Sequence, residues 1–293
     1  SGLSTVSLRG TGSEHTIITL DGVALSNPQS GSIDLSTIPI TFLESAVVSL
    51  GAGRKSGGQG ALGGSVELRT ISPTASKFIR GALVIGAFGR WQGGAVMSGS
   101  IGPFNALLAG ELSEYQGDFR YEDPSAYPKQ IIRRTGANQF GRNVFGRITL
   151  DHGSSAWDAS VWLTNYHRNL PGPSNAPSAK AHQANEALRL RLSHVKQIGS
   201  GTISTLLSHA VESLDYLTDA NQNQETNQRS SSRSTRVLTS AKRAISDSWL
   251  LGTELSFGFD QSNIKSAEHQ GLIQADAFAG LERKHVQSTV GIA

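Results

Sequence analysis

From Lys77 onward the sequence repeats every two residues. In residues 187–195, Leu188, Leu190 and Leu192 fall on one face and Arg189, Arg191 and Ser193 on the other. In residues 249–260, Trp249, Leu251, Leu255, Phe257 and Phe259 share a face, opposite Gly252, Glu254, Ser256 and Asp260. In residues 272–282, Ile273, Ala275, Ala277, Ala279 and Leu281 alternate with Gln274, Asp276 and Gly280. Such a period is a strand signature, because successive Cβ atoms point to opposite faces of a sheet. The runs exceed the roughly five or six residues of an ordinary globular strand. They match the ~9–11 residues that cross a bilayer at a tilt.

Connection lengths alternate as well. Tight turns are expected at residues 102–103, 152–154, 198–200 and 244–247, and near Lys284-His285. Between them lie longer polar connections at 116–139, 168–184, 217–232 and 262–270, and only the first at that end, 89–91, is short. A membrane β-barrel has tight turns on one side and long loops on the other. A sandwich has no such alternation. The pattern gives an antiparallel membrane β-barrel wall of about ten or eleven strands, where a plugged transporter barrel has about 22. No apolar run is long enough to cross a bilayer as a helix. The absence of Cys suits an oxidising periplasm. A net charge of +3, scattered along the chain, argues against a nucleic-acid partner.

The first 70 residues have a different grain. Short β-type runs alternate with Gly-rich turns, among them Asp21-Gly22, a pair that tolerates positive φ. Leu8-Arg9-Gly10, Thr19-Leu20-Asp21-Gly22-Val23, Gly31-Ser32-Ile33-Asp34-Leu35-Ser36-Thr37-Ile38-Pro39, Glu44 and residues 58–70 follow in order. This series resembles the plug domain of TonB-dependent outer-membrane receptors, most closely the cobalamin and siderophore type. The family pattern reads I-R-G, V-L-I-D-G-V, G-S-x-D-L-S-x-I-P, E-R-I-E-V-x-R-G-P and Y-G-x-G-A-x-G-G-x-V-x-I-x-T. The chain departs from it at Ser45, where the pattern has its first Arg, at Leu50 and Ala52, where it has the second Arg and the Pro, and at Gly57, where it has Tyr.

The resemblance implies a small α+β plug over residues 1–72, then the first half of a 22-strand transmembrane barrel over 77–293. Both ends then read as internal, so a fragment is expected. It also implies an outer-membrane location, contact with outer-membrane lipid, and active uptake of a scarce large ligand, a corrinoid or metal chelate such as cobalamin or an iron-siderophore. A TonB-type energy-coupling protein would be the partner. Two alternatives stay open: a surface receptor of the same architecture without import, and a soluble β-rich binding protein.

Ligand contacts in the family come from plug apices and outer loops. By position the apex residues are Asn27, Gln29, Ser30 and Ser32, with a second apex at 54–59; turn capping is the competing reading. Plug arginines in the family anchor to acidic residues of the wall. Here that role falls to Arg9, with Arg54 displaced by a few positions, and Glu111 or Glu254 is the expected acceptor. Gly10, Asp21, Gly22, Glu44, Gly60, Gly63 and Gly64 take structural roles in the plug. Asp118, Glu122 and Asp123 form an acidic loop, read either as a Ca²⁺ site or as a solvated surface. Trp91, Trp157 and Trp249 suit the membrane interface. No G-x-S-x-G, H-E-x-x-H or C-x-x-C motif occurs, and His152, His167, His182, His194 and His209 lack metal-ligand spacing. The run 51–64 lacks the G-K-[ST] ending of a phosphate loop. Neither catalysis nor a cofactor is expected.

Overall fold

A computed structural model of the chain describes residues 4–25, 33–50, 63–123, 127–172, 180–221, 224–246, 249–264 and 267–283. The N-terminal unit is a four-stranded sheet of β1 (Thr16–Leu20), β2 (Val23–Ala24), β3 (Leu43–Leu50) and β4 (Gly64–Thr70), in the order β2-β1-β4-β3. Strands β1 and β4 run parallel, paired from Thr16↔Gly64 to Leu20↔Leu68. Their alternation buries Ile18, Leu20, Val66 and Leu68 on one side. The hairpin from β1 to β2 turns on Asp21 and Gly22, at φ 47° and 84°. Two consecutive left-handed residues match the twist of flanking strands. The helical component among the described residues is three single 3₁₀ turns, Ser13–His15, Leu35–Thr37 and Ile40–Phe42. Asp34 caps the second, accepting from the Ser36 N–H at 3.0 Å and its hydroxyl at 2.7 Å. Pro39 then stops any longer helix, since it lacks an N–H and biases Ile38 toward extended backbone.

The second unit is a ten-stranded sheet. Its strands are β5 (Phe78–Gly86), β6 (Arg90–Ile101), β7 (Phe104–Tyr115), β10 (Gln139–His152), β11 (Ser155–Asn169), β12 (His182–Ile198), β13 (Gly201–Asn221), β14 (Gln224–Ala244), β15 (Trp249–Ile264) and β16 (Ala267–Arg283). Each pairs antiparallel with its neighbour in the chain, except that β7 meets β10 across a small separate hairpin of β8 (Phe119–Glu122) and β9 (Ile131–Arg134). The expected membrane β-barrel wall is therefore present as an all-antiparallel meander.

The two faces divide as the alternation requires. Leu108, Leu112, Val144, Ile148, Val161, Leu163, Leu190, Leu192 and Leu207 all stand exposed on one face. A contiguous apolar surface of that extent is not left to water; it is the lipid side of a barrel wall. The opposite face carries Val96, Leu107, Ala109, Phe145 and Trp162, which join Ile18, Leu20, Leu25, Ile38, Phe42, Val66 and Leu68 in one buried cluster. The N-terminal sheet thus packs on the inner face of the wall.

Turn positions agree with the sequence at one end of the wall. Two-residue loops join Ile101 to Phe104, His152 to Ser155 and Ile198 to Gly201. At the other end two expected loops are strand instead. Residues 217–221 extend β13 and 224–232 belong to β14, paired to Asn221↔Gln224. Residues 262–264 likewise extend β15 and 267–270 belong to β16, paired to Ile264↔Ala267. Where both faces of a hairpin are wet, the apolar alternation vanishes. The ladder continues, because it needs only backbone amides.

Placing a cation on the apolar face tests the assignment of faces. Leu190 is 42% exposed there. In the full-length protein in phospholipid, Leu190→Arg is expected to cost about 2–4 kcal/mol in denaturant unfolding. Ile198→Arg, on the same face beside a tight turn, is expected to cost about 0–1 kcal/mol.

Candidate functional site

The chain's charged chemistry is concentrated in the seam between the N-terminal sheet and the wall. Its centre is the Asp21-Gly22 turn and the end of β4. The Thr70 N–H and hydroxyl donate to the Asp21 carboxylate at 3.0 and 2.7 Å. Arg147 reaches in from β10 and donates to the Thr70 hydroxyl oxygen at 2.8 Å and its carbonyl at 3.3 Å. The same guanidinium forks onto Asp158 of β11 at 3.1 and 2.7 Å. Arg191 of β12 donates to the Asp21 carbonyl at 3.0 Å and lies 3.0 Å from the Asp158 carboxylate. Residues i and i+2 share a strand face, so Arg189 and Arg191 both point inward while Leu188, Leu190 and Leu192 face lipid.

A second tie joins Asp34, the cap of the 3₁₀ turn, to Arg168 at 3.2 Å, with side chains only 6% and 4% exposed. Gln183 accepts from the other guanidinium nitrogens at 3.1 and 2.6 Å. The Arg147–Asp158 fork is a strong, charge-assisted hydrogen bond, whereas Asp34 and Arg168 are joined by charge alone. Burial makes each partner costly to leave alone. Between the two ties sits an aromatic clamp. Phe42 stacks on Phe145 at 4.6 Å and meets the Trp162 edge at 5.7 Å. Asn143 fixes the indole, accepting from its N–H at 3.1 Å. Close approach is also required at Gly94, where a Cβ would stand 2.4 Å from the Thr41 hydroxyl.

The polarity of this anchoring reverses the expectation. Arg9 lies exposed at φ 56°. It pairs with neither Glu111 nor Glu254 among the described residues. The Glu111 carboxylate instead accepts from the Thr41 N–H and hydroxyl. The cations sit on the wall, and the plug supplies carboxylates and carbonyls. The physical reason lies in the turns: Asp21 and Asp34 are already placed by turn and cap chemistry, so a long arginine on a rigid strand needs only to reach them. Sequence reading gave Asp21 a structural role and Asp34 none, and missed Arg147, Asp158, Arg168 and Arg191. The available signal was the inward parity of those arginines.

The other expected residues fall as follows. Gly10 and Gly22 hold positive φ, 74° and 84°. Glu44 sits, exposed, where the β3–β4 register shifts between Leu43 and Ser45. Gly63 leaves no room for a side chain, since a Cβ would stand 2.3 Å from the Thr11 hydroxyl. Gly64 opens β4 at φ 139°. Asn27, Gln29, Ser30, Ser32, Gly60 and residues 54–59 lie outside the described residues. In the acidic loop, Asp118 pairs with Arg133 at 3.1 Å and Glu122 with Lys129 at 2.6 Å. Those carboxylates are used by cations of their own hairpin, and no group of three metal-binding side chains gathers among the described residues. Trp157 and Trp249 are 43% and 42% exposed at the tight-turn end of the apolar face. Trp91 lies on that face at the opposite end, donating to Glu114 at 2.9 Å.

Two cavities open beside the seam, of about 390 Å³ and about 700 Å³. The smaller lies between Leu25, Asp34 and Thr37 of the plug and the inner faces of β11 to β14.

Comparison with known proteins agrees with this geometry. The TonB-dependent receptor plug domain family matches residues 1–65. A vitamin B12 transporter, BtuB of Vibrio vulnificus (strain YJ016), is 35% identical over 69 residues, 24% of this chain and 11% of the transporter. The fold is that of solved outer-membrane receptors. The siderophore receptor PirA from Acinetobacter baumannii superposes with a TM-score of 0.73 at 15% identity, over 95% of this chain and 48% of the receptor. The ferric enterobactin receptor PfeA gives 0.70 at 10% identity, over 96% of this chain and 49% of that one. The chain thus spans about half the length of these receptors.

Arg147 is the test of the seam. In the full-length protein, Arg147→Ala leaves Asp158 short of a partner and strips Thr70 of its donor. Removing one member of a buried pair costs about 3–5 kcal/mol. Planar-bilayer recording is expected to show more frequent open-pore conductance than for the unaltered protein. Arg142→Ala, exposed on the apolar face, is expected to leave the conductance unchanged.

Proposed function

We propose that this chain, a TonB-dependent receptor plug followed by half of a receptor-type wall, belongs to an outer-membrane receptor that imports a scarce, large ligand with energy from outside the membrane. Cobalamin and iron-siderophores are the ligand classes its relatives point to. One observation carries the reading: a small folded sheet is tied by a few buried charge-assisted bonds to the inner face of a wall whose other face meets lipid.

That arrangement performs a defined task. A barrel wide enough for a large ligand would leak if open. A stopper held by broad apolar packing alone would resist displacement everywhere at once. Here the apolar contact is centred on Phe42, and polar ties flank it. Polar ties exchange readily for water once the seam opens, so a mechanical pull releases them in sequence. A TonB-type protein acting from the periplasmic side is the partner that would supply the pull. The protein is read as a non-catalytic transporter.

Uptake measurements test this. The full-length gene is expressed in a Gram-negative host lacking its own cobalamin and ferric-siderophore receptors. Labelled ligand of one class is expected to accumulate, and a protonophore is expected to abolish accumulation while leaving surface binding. Binding with no energised accumulation would instead favour a surface receptor that does not import.

A further inference from the structure

The charges beside the smaller cavity are arranged in pairs. Arg189, the cation in its lining, is already held by Glu212 at 2.6 Å and lies over the Trp162 ring at 4.5 Å. Asp34 also borders the cavity, whereas the Glu186 carboxylate turns to the outer face and accepts from Asn165 at 2.9 Å. Arg168, just behind, is taken up by Asp34 at 3.2 Å. Two carboxylates, Asp34 and Glu212, thus face two arginines around this space, and each arginine is matched. An anion entering it would meet Asp34 and Glu212 and, among the described residues of the lining, no unmatched cation to receive it.

Neutral groups meet the opposite situation. Arg189 Nη1 and Thr164 Oγ1 are buried without a hydrogen-bond partner, and both residues line the cavity. Asn185, Ser230 and Ser232 add an amide and two small hydroxyl side chains. Buried donors and acceptors that lack partners favour a ligand that supplies them, and reject one that cannot. A volume of about 390 Å³ admits one arm of a large ligand.

We propose that this cavity receives an uncharged, amide- or hydroxyl-bearing arm of the ligand, and that the Arg189–Glu212 pair, by matching its own cation, denies anionic chelates a counter-charge. The proposal rests on the receptor reading and narrows its ligand class. Amide arms of a corrinoid and hydroxyls of an oligosaccharide share the chemistry, and the test separates them.

Equilibrium binding to the full-length receptor in outer-membrane vesicles is measured with three probes: cyanocobalamin, a neutral malto-oligosaccharide, and an anionic ferric tris-catecholate. One neutral probe is expected to bind at least about 100-fold more tightly than the tris-catecholate; which one it is names the source. Asn185→Leu is expected to weaken that neutral probe about tenfold. Glu212→Gln removes one carboxylate and frees Arg189, so the preference is expected to shift about tenfold toward the tris-catecholate. Tighter binding of the tris-catecholate, binding of neither neutral probe, or an unchanged preference in Glu212→Gln would overturn the inference. Loss of energised uptake with the binding preference intact would overturn the import reading instead, and leave the cavity assignment standing.

Discussion

Arg147 is the interaction on which the rest of the arrangement depends. Its guanidinium spans two strands of the wall through Asp158 and then reaches Thr70, the last residue of the plug sheet. Thr70 passes the contact to Asp21 through its own hydroxyl, which accepts from Arg147 and donates to the carboxylate. Arg191 closes the ring from the next strand by taking the Asp21 carbonyl. A single network therefore joins the plug's tight turn, the end of its central strand and three adjacent wall strands. An isolated buried guanidinium would be prohibitively costly. Asp158 offsets that cost within the wall itself, so the wall presents a prepaired cation to the plug rather than a bare one.

That design follows from the two solvents the wall must face. Lipid allows no unpaired backbone groups, so every strand of the wall must lie in a continuous ladder. The outward residues are apolar, and every other position is left free to be polar. The inward positions are where arginines, carboxylates and amides appear: Arg147, Asp158, Arg189, Arg191, Glu212, Arg236 and Asp260. The plug needs few charges of its own because the wall carries the long ones on rigid strands. It contributes what tight turns supply anyway, namely Asp21 at the hairpin and Asp34 at the 3₁₀ cap.

The same physics explains what the sequence discloses. The wall was legible because lipid on one side forces Leu188, Leu190 and Leu192 into strict alternation, and two-residue turns carry recognisable chemistry. The upper parts of β13 to β16 were not, because Ser, Thr, Asn and Gln on both faces look like loop when only hydropathy is read. The plug was legible from ordered turn motifs. Its anchoring was not: a carboxylate in an Asp-Gly turn announces a turn, and nothing local says that Arg147, 126 residues later, will meet Thr70 beside it. The acidic hairpin is a related case. Asp118 and Glu122 are close in sequence, but the hairpin register sets Arg133 and Lys129 against them.

Asp34 belongs to two sites at once. One carboxylate oxygen organises the plug turn through Ser4 and Ser36, while the other faces Arg168 across the seam. The same residue borders the smaller cavity. Any occupant of that cavity therefore acts on a residue that helps to hold the plug. Because binding free energies are reciprocal, an occupant that strengthens or weakens the Asp34–Arg168 tie must itself bind better or worse when the plug is docked. The Arg147 network has no such exposure to the cavity; its partners Thr70 and Asp158 lie outside the lining. The seam thus has one tie open to the ligand side and one insulated from it. Ligand occupancy can bias the first without releasing the second; on the proposed import reading, the plug then stays docked until force reaches the Asp21 turn.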